Sequence, residues 1–389
     1  MRRLPGAAFA VGLLLSVAVS SPSIAADEAR GSWTASPVAV DESKLTDVER
    51  SALSRCGRGE AALVATARVL LERKVAGAAL PELDGIADVQ RAEGEPHPWP
   101  RAWAVRAHTL GDSAMARLDA WLGDDARRLR RCGVASGTAS DGTTSLVVVT
   151  VDALADLAPL PMRARTGQWL SLEARLRVGA RGASVIVLGP NGGTRTVPSW
   201  IEGSTVRARF AAEAPGLLSV QIVADLPTGP RPVLEADVLV DVDPATAPVA
   251  GPAPGEDAGG AGADDEVLSR MVAATRSAAG LGGLARDARL DAVARAHAQR
   301  MATVHELAHD AGDGDPPERL RDAGLDARYL GENVAHAPNV ALAHRALWRS
   351  PSHRMNLVRP DFDRMGLAVV RDSGGDAWVV ELLAGGLRP

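Results

Sequence analysis

The chain has 389 residues, a length typical of two or three domains, and carries a formal net charge of −5. Residues 1–25 contain two arginines and no acid, so a chain without them is more acidic still. This balance argues against the basic face of a nucleic-acid binder, and we expect no nucleic-acid partner.

The amino terminus has the pattern of a signal peptide at residues 1–25. Two arginines precede the apolar run 7–19, and Ser-Ile-Ala at 23–25 forms a small-residue cleavage site. The run is too short to span a bilayer and no later stretch is long enough, so we expect no transmembrane segment. We predict a secreted or periplasmic protein whose mature terminus, residues 26–50, is flexible.

The first folded region is predicted at residues 51–157, as a helical domain that ends in a β-hairpin. Apolar residues recur at helical spacing between Cys56 and Leu129, including the stretch 102–122. The hairpin is indicated by the strand-like run 146–151 after an Asp-Gly turn.

The two cysteines of the chain, Cys56 and Cys132, both fall in this first region. An exported chain folds in an oxidising compartment, where a disulfide that closes a long loop is the natural outcome. The alternative is two buried free thiols. We predict the disulfide.

In the second region, residues 158–243, the hydrophobic pattern changes to a period of two residues. Apolar and polar side chains alternate along 170–178 and again in later runs that Gly and Pro turns separate. Short alternating strands predict a small antiparallel sandwich of immunoglobulin-like type. Residues 244–263 are almost wholly Pro, Ala, Gly and acid, which predicts a linker.

The last region, residues 264–389, opens with helical segments at 265–279 and 287–304 and closes with two strand-like runs. Residues 130–149 of the first region can be laid over residues 363–382 with few identities. The first region is therefore a candidate degenerate copy of the last one. Together these regions predict a multi-domain α+β protein.

Three residues of the last region stand in settings typical of a site. His309 follows a long helix in LAHD, Glu332 lies in GENVA, and His353 lies in SPSHRMN. Two imidazoles and a carboxylate can bind zinc or another divalent metal with an open water position, or act as an acid–base pair. The alternative is a structural hydrogen-bond network that orders the loops.

These motifs, with the closing MGLAVV and AWVVELLAG, resemble the bacterial branch of the CAP superfamily, also called the SCP domain, over about residues 264–386. The resemblance implies an α-β-α sandwich whose cleft is lined by two histidines and two acids, and which binds a divalent metal in some relatives. His309, Glu332 and His353 match three of these positions, and the two histidines would be the metal ligands. The place of the second acid holds Ala343, beside His344. His344 is then either a replacement ligand or a residue packed beneath the cleft.

A rival motif overlaps the first histidine. His305-Glu306-Leu-Ala-His309, with Asp315 beyond it, resembles a zinc metallopeptidase helix in which Glu306 is the base. This interpretation leaves GENVA and SPSHRMN unexplained, and His305 is otherwise a surface residue at a helix end. His336 is expected in a loop.

We therefore expect a secreted CAP-domain protein that acts as an extracellular binding or interaction module for a lipid, a glycan or a protein. The alternative is a zinc-dependent hydrolase that uses either the cleft or the HELAH segment.

Overall fold

A computed structural model describes the protein over residues 31–33, 39–123, 128–243 and 251–388. The predicted signal peptide at 1–25 lies outside these described residues, as do parts of the predicted flexible terminus 26–50. Within the described ranges, no helix is both long enough and apolar enough to cross a membrane.

The first region contains one four-stranded sheet and four helices. A two-residue strand, β1 (Ser32–Trp33), lies before it. In chain order the elements are α1 (Asp47–Cys56), β2 (Arg58–Gly59), α2 (Ala61–Val75), α3 (Leu83–Ala92), β3 (Arg101–Ala107), α4 (Asp112–Leu122), β4 (Arg130–Thr138) and β5 (Thr144–Asp152). The order across the sheet is β2-β4-β5-β3. The predicted disulfide is confirmed, because Cys56 at the end of α1 is bonded to Cys132 on β4.

The helical prediction was wrong for the start of 102–122, which forms β3. Trp103 pairs with Val148 and Val105 with Leu146 across an antiparallel ladder with β5. Aromatic and β-branched side chains favour such a ladder over a helix, and the partner strand is remote in sequence. Helix α1 begins at Asp47, inside the terminus predicted to be flexible, because Thr46 and Glu49 form a reciprocal capping box that stabilises its first turn.

The second region consists of two sheets around one core. Its strands are β6 (Ala155–Leu157), β7 (Leu160–Pro161), β8 (Arg163–Ala164), β9 (Trp169–Leu176), β10 (Gly182–Leu188), β11 (Thr194–Val197), β12 (Ser199–Glu202), β13 (Thr205–Ala211), β14 (Gly216–Leu226) and β15 (Gly229–Val240). One sheet has the order β11-β10-β14-β15-β8 and the other β12-β13-β9-β6, while β7 pairs with β1. Side chains of β9 alternate between exposed and buried, and the buried ones join a core that both sheets share.

The third region is a four-stranded sheet between two layers of helices. Its elements are α5 (Asp264–Ala278), β16 (Ala285–Arg286), α6 (Ala288–Val304), α7 (Pro316–Asp322), β17 (Asp326–Ala337), α8 (Val340–Arg349), α9 (Pro351–Leu357), β18 (Arg364–Arg371) and β19 (Ala377–Arg388). One core cluster joins the sheet to α5, α8 and α9, and the other joins it to α6 and α7. The sheet is therefore covered on both faces.

The first and third sheets have the same topology. The third sheet runs β16-β18-β19-β17, which matches β2-β4-β5-β3 strand for strand, including one parallel pair in each. Both sheets also place a glycine against a helix backbone. A Cβ on Gly133 would lie 2.0 Å from the carbonyl carbon of Leu63, and one on Gly366 would lie 2.2 Å from that of Leu290. Only glycine allows helices to pack this closely on the sheet.

The predicted linker 244–263 differs in its two halves. Residues 244–250 lie outside the described residues. Residues 251–263 include a short 3-10 helix, Glu256–Ala258, and contact the third region. Ala253 is buried, and Glu256 forms an ion pair with Arg345 on α8 at 2.6 Å. These contacts hold the second half of the segment on the third region.

The second region contacts the third through specific hydrogen bonds. The backbone N–H of Asp310 donates to the carbonyl oxygen of Thr228 at 3.0 Å. The amide of Gln221 on β14 donates to Ser350 Oγ and accepts from the N–H of Ser352, both at 2.9 Å. Since Ser350 and Ser352 flank the start of α9, this contact positions the helix that carries His353.

Candidate functional site

The structure brings His309, Glu332 and His353 to the wall of one cavity of about 410 Å³. The cavity lies between the second and third regions. The second region supplies Arg181, Val223, Asp225, Pro230 and Pro232, and the third adds Pro316, Pro317 and Leu330 to the three site residues. Clefts at domain junctions with apolar walls and a few polar groups are typical of small-molecule sites.

His309 lies in the loop that follows α6, and a buried histidine organises that loop. The ring of His297 on α6 is hydrogen-bonded through Nδ1 to Asp313 Oδ2 at 2.9 Å and through Nε2 to the carbonyl oxygen of Ala308 at 3.0 Å. On the other side, the backbone of Gly229 packs directly on His309, because an added Cβ would lie 2.5 Å from the Cβ of His309. Both contacts restrict where the imidazole can lie.

Glu332 is buried on β17 and is bound on both oxygens. His309 Nδ1–H donates to Oε1 at 2.9 Å, and Arg319 Nη2 donates to Oε2. Arg319, on α7, also donates from Nη1 to the carbonyl oxygen of His309 at 2.7 Å. Burial opposes the ionisation of Glu332, but the hydrogen bond and charge of His309, with the charges of Arg319 and His297, hold its pKa below the usual value. Glu332 is thus a fixed anion that orients His309.

His353 is a neutral imidazole on the first turn of α9. Burial, together with the nearby charge of His309, lowers its pKa to about 3. A hydrogen bond of 2.9 Å joins its Nδ1 to Ser350 Oγ. Among the described residues, neither His353 nor His309 has a hydrogen bond at Nε2, so these two nitrogens are available to a ligand in the cavity.

A second buried carboxyl group lies beneath the site. Asn333 Nδ2 donates to Glu381 Oε2 at 2.9 Å and to the carbonyl oxygen of His353 at 3.2 Å. Burial raises the pKa of Glu381 to about 7, against the lowering effect of the Asn333 hydrogen bond. Glu381 was not among the residues predicted from the sequence, although a lone acid inside the apolar run WVVELLAG is a signal of a buried polar group.

Arg319, which the structure places against Glu332, was not predicted as a site residue either. Nothing in the local pattern PPERLRD distinguishes Arg319 from Arg321, so only the tertiary fold identifies it.

His344 does not lie with the other site residues. It is buried on α8 facing α5, where Nε2 is 2.9 Å from Thr275 Oγ1 and 3.2 Å from the carbonyl oxygen of Pro254. This corrects the expectation of a replacement ligand in the cleft. The helix face that carries His344 packs into the core, and Ala343 beside it is fully buried.

The HELAH segment does not form a metallopeptidase helix. Helix α6 ends at Val304, and His305 caps it in the left-handed conformation with φ of 55°. His305 and His309 therefore share no helical face. Asp315 is engaged elsewhere, because its side chain accepts the N–H of Glu318 as the N-cap of α7. The interpretation of His305, Glu306, His309 and Asp315 as a zinc site was wrong.

The cleft does not fit a tightly bound catalytic zinc ion. Such sites usually have three protein ligands and an open position. Here two imidazoles are available, whereas Glu332 is already paired with Arg319, whose positive charge opposes a metal cation on the same carboxylate. Within the described ranges, the one group of three His, Cys, Asp or Glu side chains that could share an ion lies elsewhere in the third region.

The third region is therefore a three-layer α-β-α domain with a His–Glu cleft, and it joins a two-sheet β region in a mixed α/β protein. Residues 270–382 match the CAP family, described as the cysteine-rich secretory protein family. This part of the chain is a CAP domain.

Several solved structures are similar to the chain. An outer surface protein of Borrelia burgdorferi has 22% identity and a TM-score of 0.30, over 32% of this chain and 92% of its own. An extracellular SCP-domain protein of Bacillus anthracis has 14% identity and a TM-score of 0.30, over 60% of this chain and 86% of its own. A cysteine-rich secretory protein of Staphylococcus aureus has 12% identity and a TM-score of 0.27, over 59% and 83%. No curated protein sequence matches the chain.

Proposed function

We propose that this protein is an exported binding module whose ligand is a small amphipathic molecule held in the cavity between the CAP domain and the second region. The observation that carries the proposal is the composition of the cavity wall. Val223, Pro230, Pro232, Pro316, Pro317 and Leu330 supply apolar surface, and Arg181, His309 and His353 supply polar groups. A ligand with one apolar part and one anionic or polar group satisfies both sets.

The state of the site residues favours binding over catalysis. Glu332 is held ionised by its hydrogen bond to His309 and by the charges of His309 and Arg319, so it is unsuited to releasing and recovering a proton. The place of the family's second acid holds Ala343. The other carboxylates of the cavity wall are engaged, Asp225 by Arg181 and Asp315 by the N–H of Glu318, whereas the imidazoles of His309 and His353 can still form hydrogen bonds with a ligand.

We further propose that the two sheets of the second region form an immunoglobulin-like sandwich that serves as the second wall of the cavity. Its alternating strands and shared core support this assignment. The turn at Thr228 and Gly229 contacts Asp310 and His309, which supports a direct role in shaping the cavity.

We also propose that the first region is a degenerate CAP-like copy. The matching strand order supports this, as does the equivalence of Gly133 and Gly366. Through the register of both sheets, the position of Glu332 corresponds to Ala102. The copy would therefore have lost the cleft acid, which leaves ligand binding to the cavity between residues 264–389 and the second region.

Export is supported by two features. The amino terminus has the pattern of a signal peptide, and Cys56 and Cys132 form a disulfide, which persists in oxidising compartments.

Binding can be tested with the anionic fluorophore anilinonaphthalene sulfonate as an amphipathic probe. We expect saturable one-to-one binding by the mature chain. Pro230→Trp, which fills the cavity, should abolish it, and Pro227→Trp, in the same turn but outside the cavity lining, should not. Binding should persist in a His309→Ala, His353→Ala variant, since apolar burial supplies most of the free energy. Equal binding by the two proline variants would contradict the proposal.

A further inference from the structure

Three potential metal ligands lie together at the end of the CAP sheet remote from the ligand cavity. They are His336 on β17, and Asp372 and Asp376 in the hairpin between β18 and β19. One ligand atom from each lies within 4.8 Å of the others. His336 was expected in a loop, but it lies in β17 and pairs with Trp378.

The distances between these groups do not suit direct hydrogen bonds. His336 Nε2 lies 3.5 Å from Asp372 Oδ2 and 3.8 Å from Asp376 Oδ2. Hydrogen bonds from nitrogen to oxygen are about 2.7–3.2 Å long. Within the described ranges, Nε2 is nevertheless inaccessible to solvent and has no partner at hydrogen-bond distance. A buried polar nitrogen in this state needs an explanation, and a cation held between it and the two carboxylates supplies one.

The surrounding structure holds each ligand in place. The ring of His336 stacks on Trp378, with centroids 4.1 Å apart and planes inclined by 23°. The indole N–H of Trp378 donates to Asp372 Oδ2 at 3.0 Å. Asp372 Oδ1 in turn accepts the backbone N–H groups of Gly374 and Asp376, at 2.9 and 3.1 Å. Outer contacts of this kind orient metal ligands and are a regular part of metal sites.

We propose that His336, Asp372 and Asp376 bind one divalent transition-metal ion of the zinc type. Zinc is bound by nitrogen at about 2.0–2.1 Å and by carboxylate oxygen at about 2.0–2.2 Å, so two ligand atoms of a tetrahedral ion lie about 3.4 Å apart. The observed separations of 3.5 and 3.8 Å are close to that value. One imidazole with two carboxylates suits zinc better than calcium, which takes six to eight oxygen ligands.

The bound ion would cross-link two parts of the sheet. It would connect the end of β17 to the hairpin of β18 and β19, on the strand that carries Glu332 into the cavity. The fourth coordination position would be open to water on the side of Asp376, whose side chain is 46% exposed. The site is independent of the cleft and of the ligand proposed for it.

The test is zinc binding by the mature full-length chain after treatment with a chelator. Isothermal titration with zinc, with metal analysis after gel filtration, should show one equivalent bound at micromolar free metal. His336→Ala and Asp376→Asn should each weaken binding at least tenfold. Asp376→Asn keeps the side-chain shape and leaves the Trp378 contacts untouched, so it remains informative if His336→Ala folds poorly.

Matched controls separate this site from the cleft. His309→Ala and His353→Ala should bind zinc as the wild type does. Bound cobalt should show the visible absorption bands of a tetrahedral site in the wild type but not in Asp376→Asn. The proposal is overturned if the wild type binds no zinc, if binding is unchanged in both His336→Ala and Asp376→Asn, or if it is lost in the cleft variants instead.

Discussion

His309 Nδ1 donates a hydrogen bond to Glu332 Oε1 at 2.9 Å, while the other oxygen of the same carboxylate is bound by Arg319. Because a carboxylate only accepts hydrogen bonds, His309 carries a proton on Nδ1, while Nε2 has no hydrogen bond to the described residues. The hydrogen bond and charge of His309, with the charge of Arg319, hold the pKa of Glu332 below its usual value. His309 in a loop, Arg319 on α7 and Glu332 on β17 thus form one hydrogen-bonded group that holds the His309 ring at the cavity.

Replacing Glu332 should reveal how much this unit contributes to folding. In Glu332→Gln, the buried Arg319 keeps its charge but loses its anionic partner. Breaking a buried ion pair on one side typically costs about 3–5 kcal/mol, so we expect a loss of about 3 kcal/mol in the free energy of unfolding. Urea unfolding measures it. Glu306→Gln, at an exposed position, is the control, and an equal loss in both variants would refute the buried ion pair.

The stability of the protein should depend on His353 below neutral pH. Its pKa is about 3 in the folded chain, against 6.5 for an unperturbed imidazole, chiefly because of burial. Between these values the unfolded chain binds a proton that the folded chain does not. Stability therefore falls as pH decreases through this window, by about 1.4 kcal/mol per pH unit. His353→Gln should remove this slope, measured by urea unfolding from pH 7 to 4, whereas the exposed control His108→Gln should retain it.

Glu381 should produce a slope of the opposite sign. Burial raises its pKa to about 7 from the 4.5 of an unperturbed carboxyl group, so the folded chain holds a proton that the unfolded chain has lost. Its contribution to stability is complete below pH 4.5 and is lost as pH rises toward 7, by about 3 kcal/mol in total. The free energy of unfolding of Glu381→Gln, relative to that of the wild type, should therefore be higher at pH 8 than at pH 4.5. The exposed control Glu72→Gln should show no such change between the two pH values.

His305 provides a direct test of the rejected metallopeptidase helix. Because it caps α6 with φ of 55°, His305→Gly should relieve the left-handed conformation and stabilise the chain by about 0.5–1 kcal/mol. His305→Ala removes the same imidazole without that relief, so it should be less stable than the glycine variant. Thermal unfolding compares the two. A loss of bound zinc in both variants would instead favour the HELAH site.

The two close helix–sheet contacts should respond alike to an added methyl group. Gly366→Ala and Gly133→Ala each place a Cβ within 2.2 Å of helix backbone atoms, and overpacking typically costs about 1–3 kcal/mol. Gly283→Ala, where nothing lies within 4 Å, is the matched control and should unfold as the wild type does. A tolerated substitution at Gly133 alone would argue against equivalent packing in the two regions.

The sequence alone determined the features that depend on local pattern or on ordered motifs. The motifs around His309, Glu332 and His353 occur in the order typical of the CAP family, and residues 270–382 match it. The pairing of Cys56 with Cys132 followed from an even cysteine count in an exported chain. The alternation along β9 identified a half-buried strand because its period is a local property.

Only the tertiary structure decided the surroundings of those residues. Arg319 reaches Glu332, and Asn333 reaches Glu381, through contacts between elements far apart in sequence. The end of α6 at Val304 also depends on remote contacts, since His297 and Gly229 hold the following loop. Periodicity describes which face of an element is apolar, but not which partner covers that face. The second region's role as a cavity wall, and the cluster of His336, Asp372 and Asp376, therefore appear only once the strands are paired.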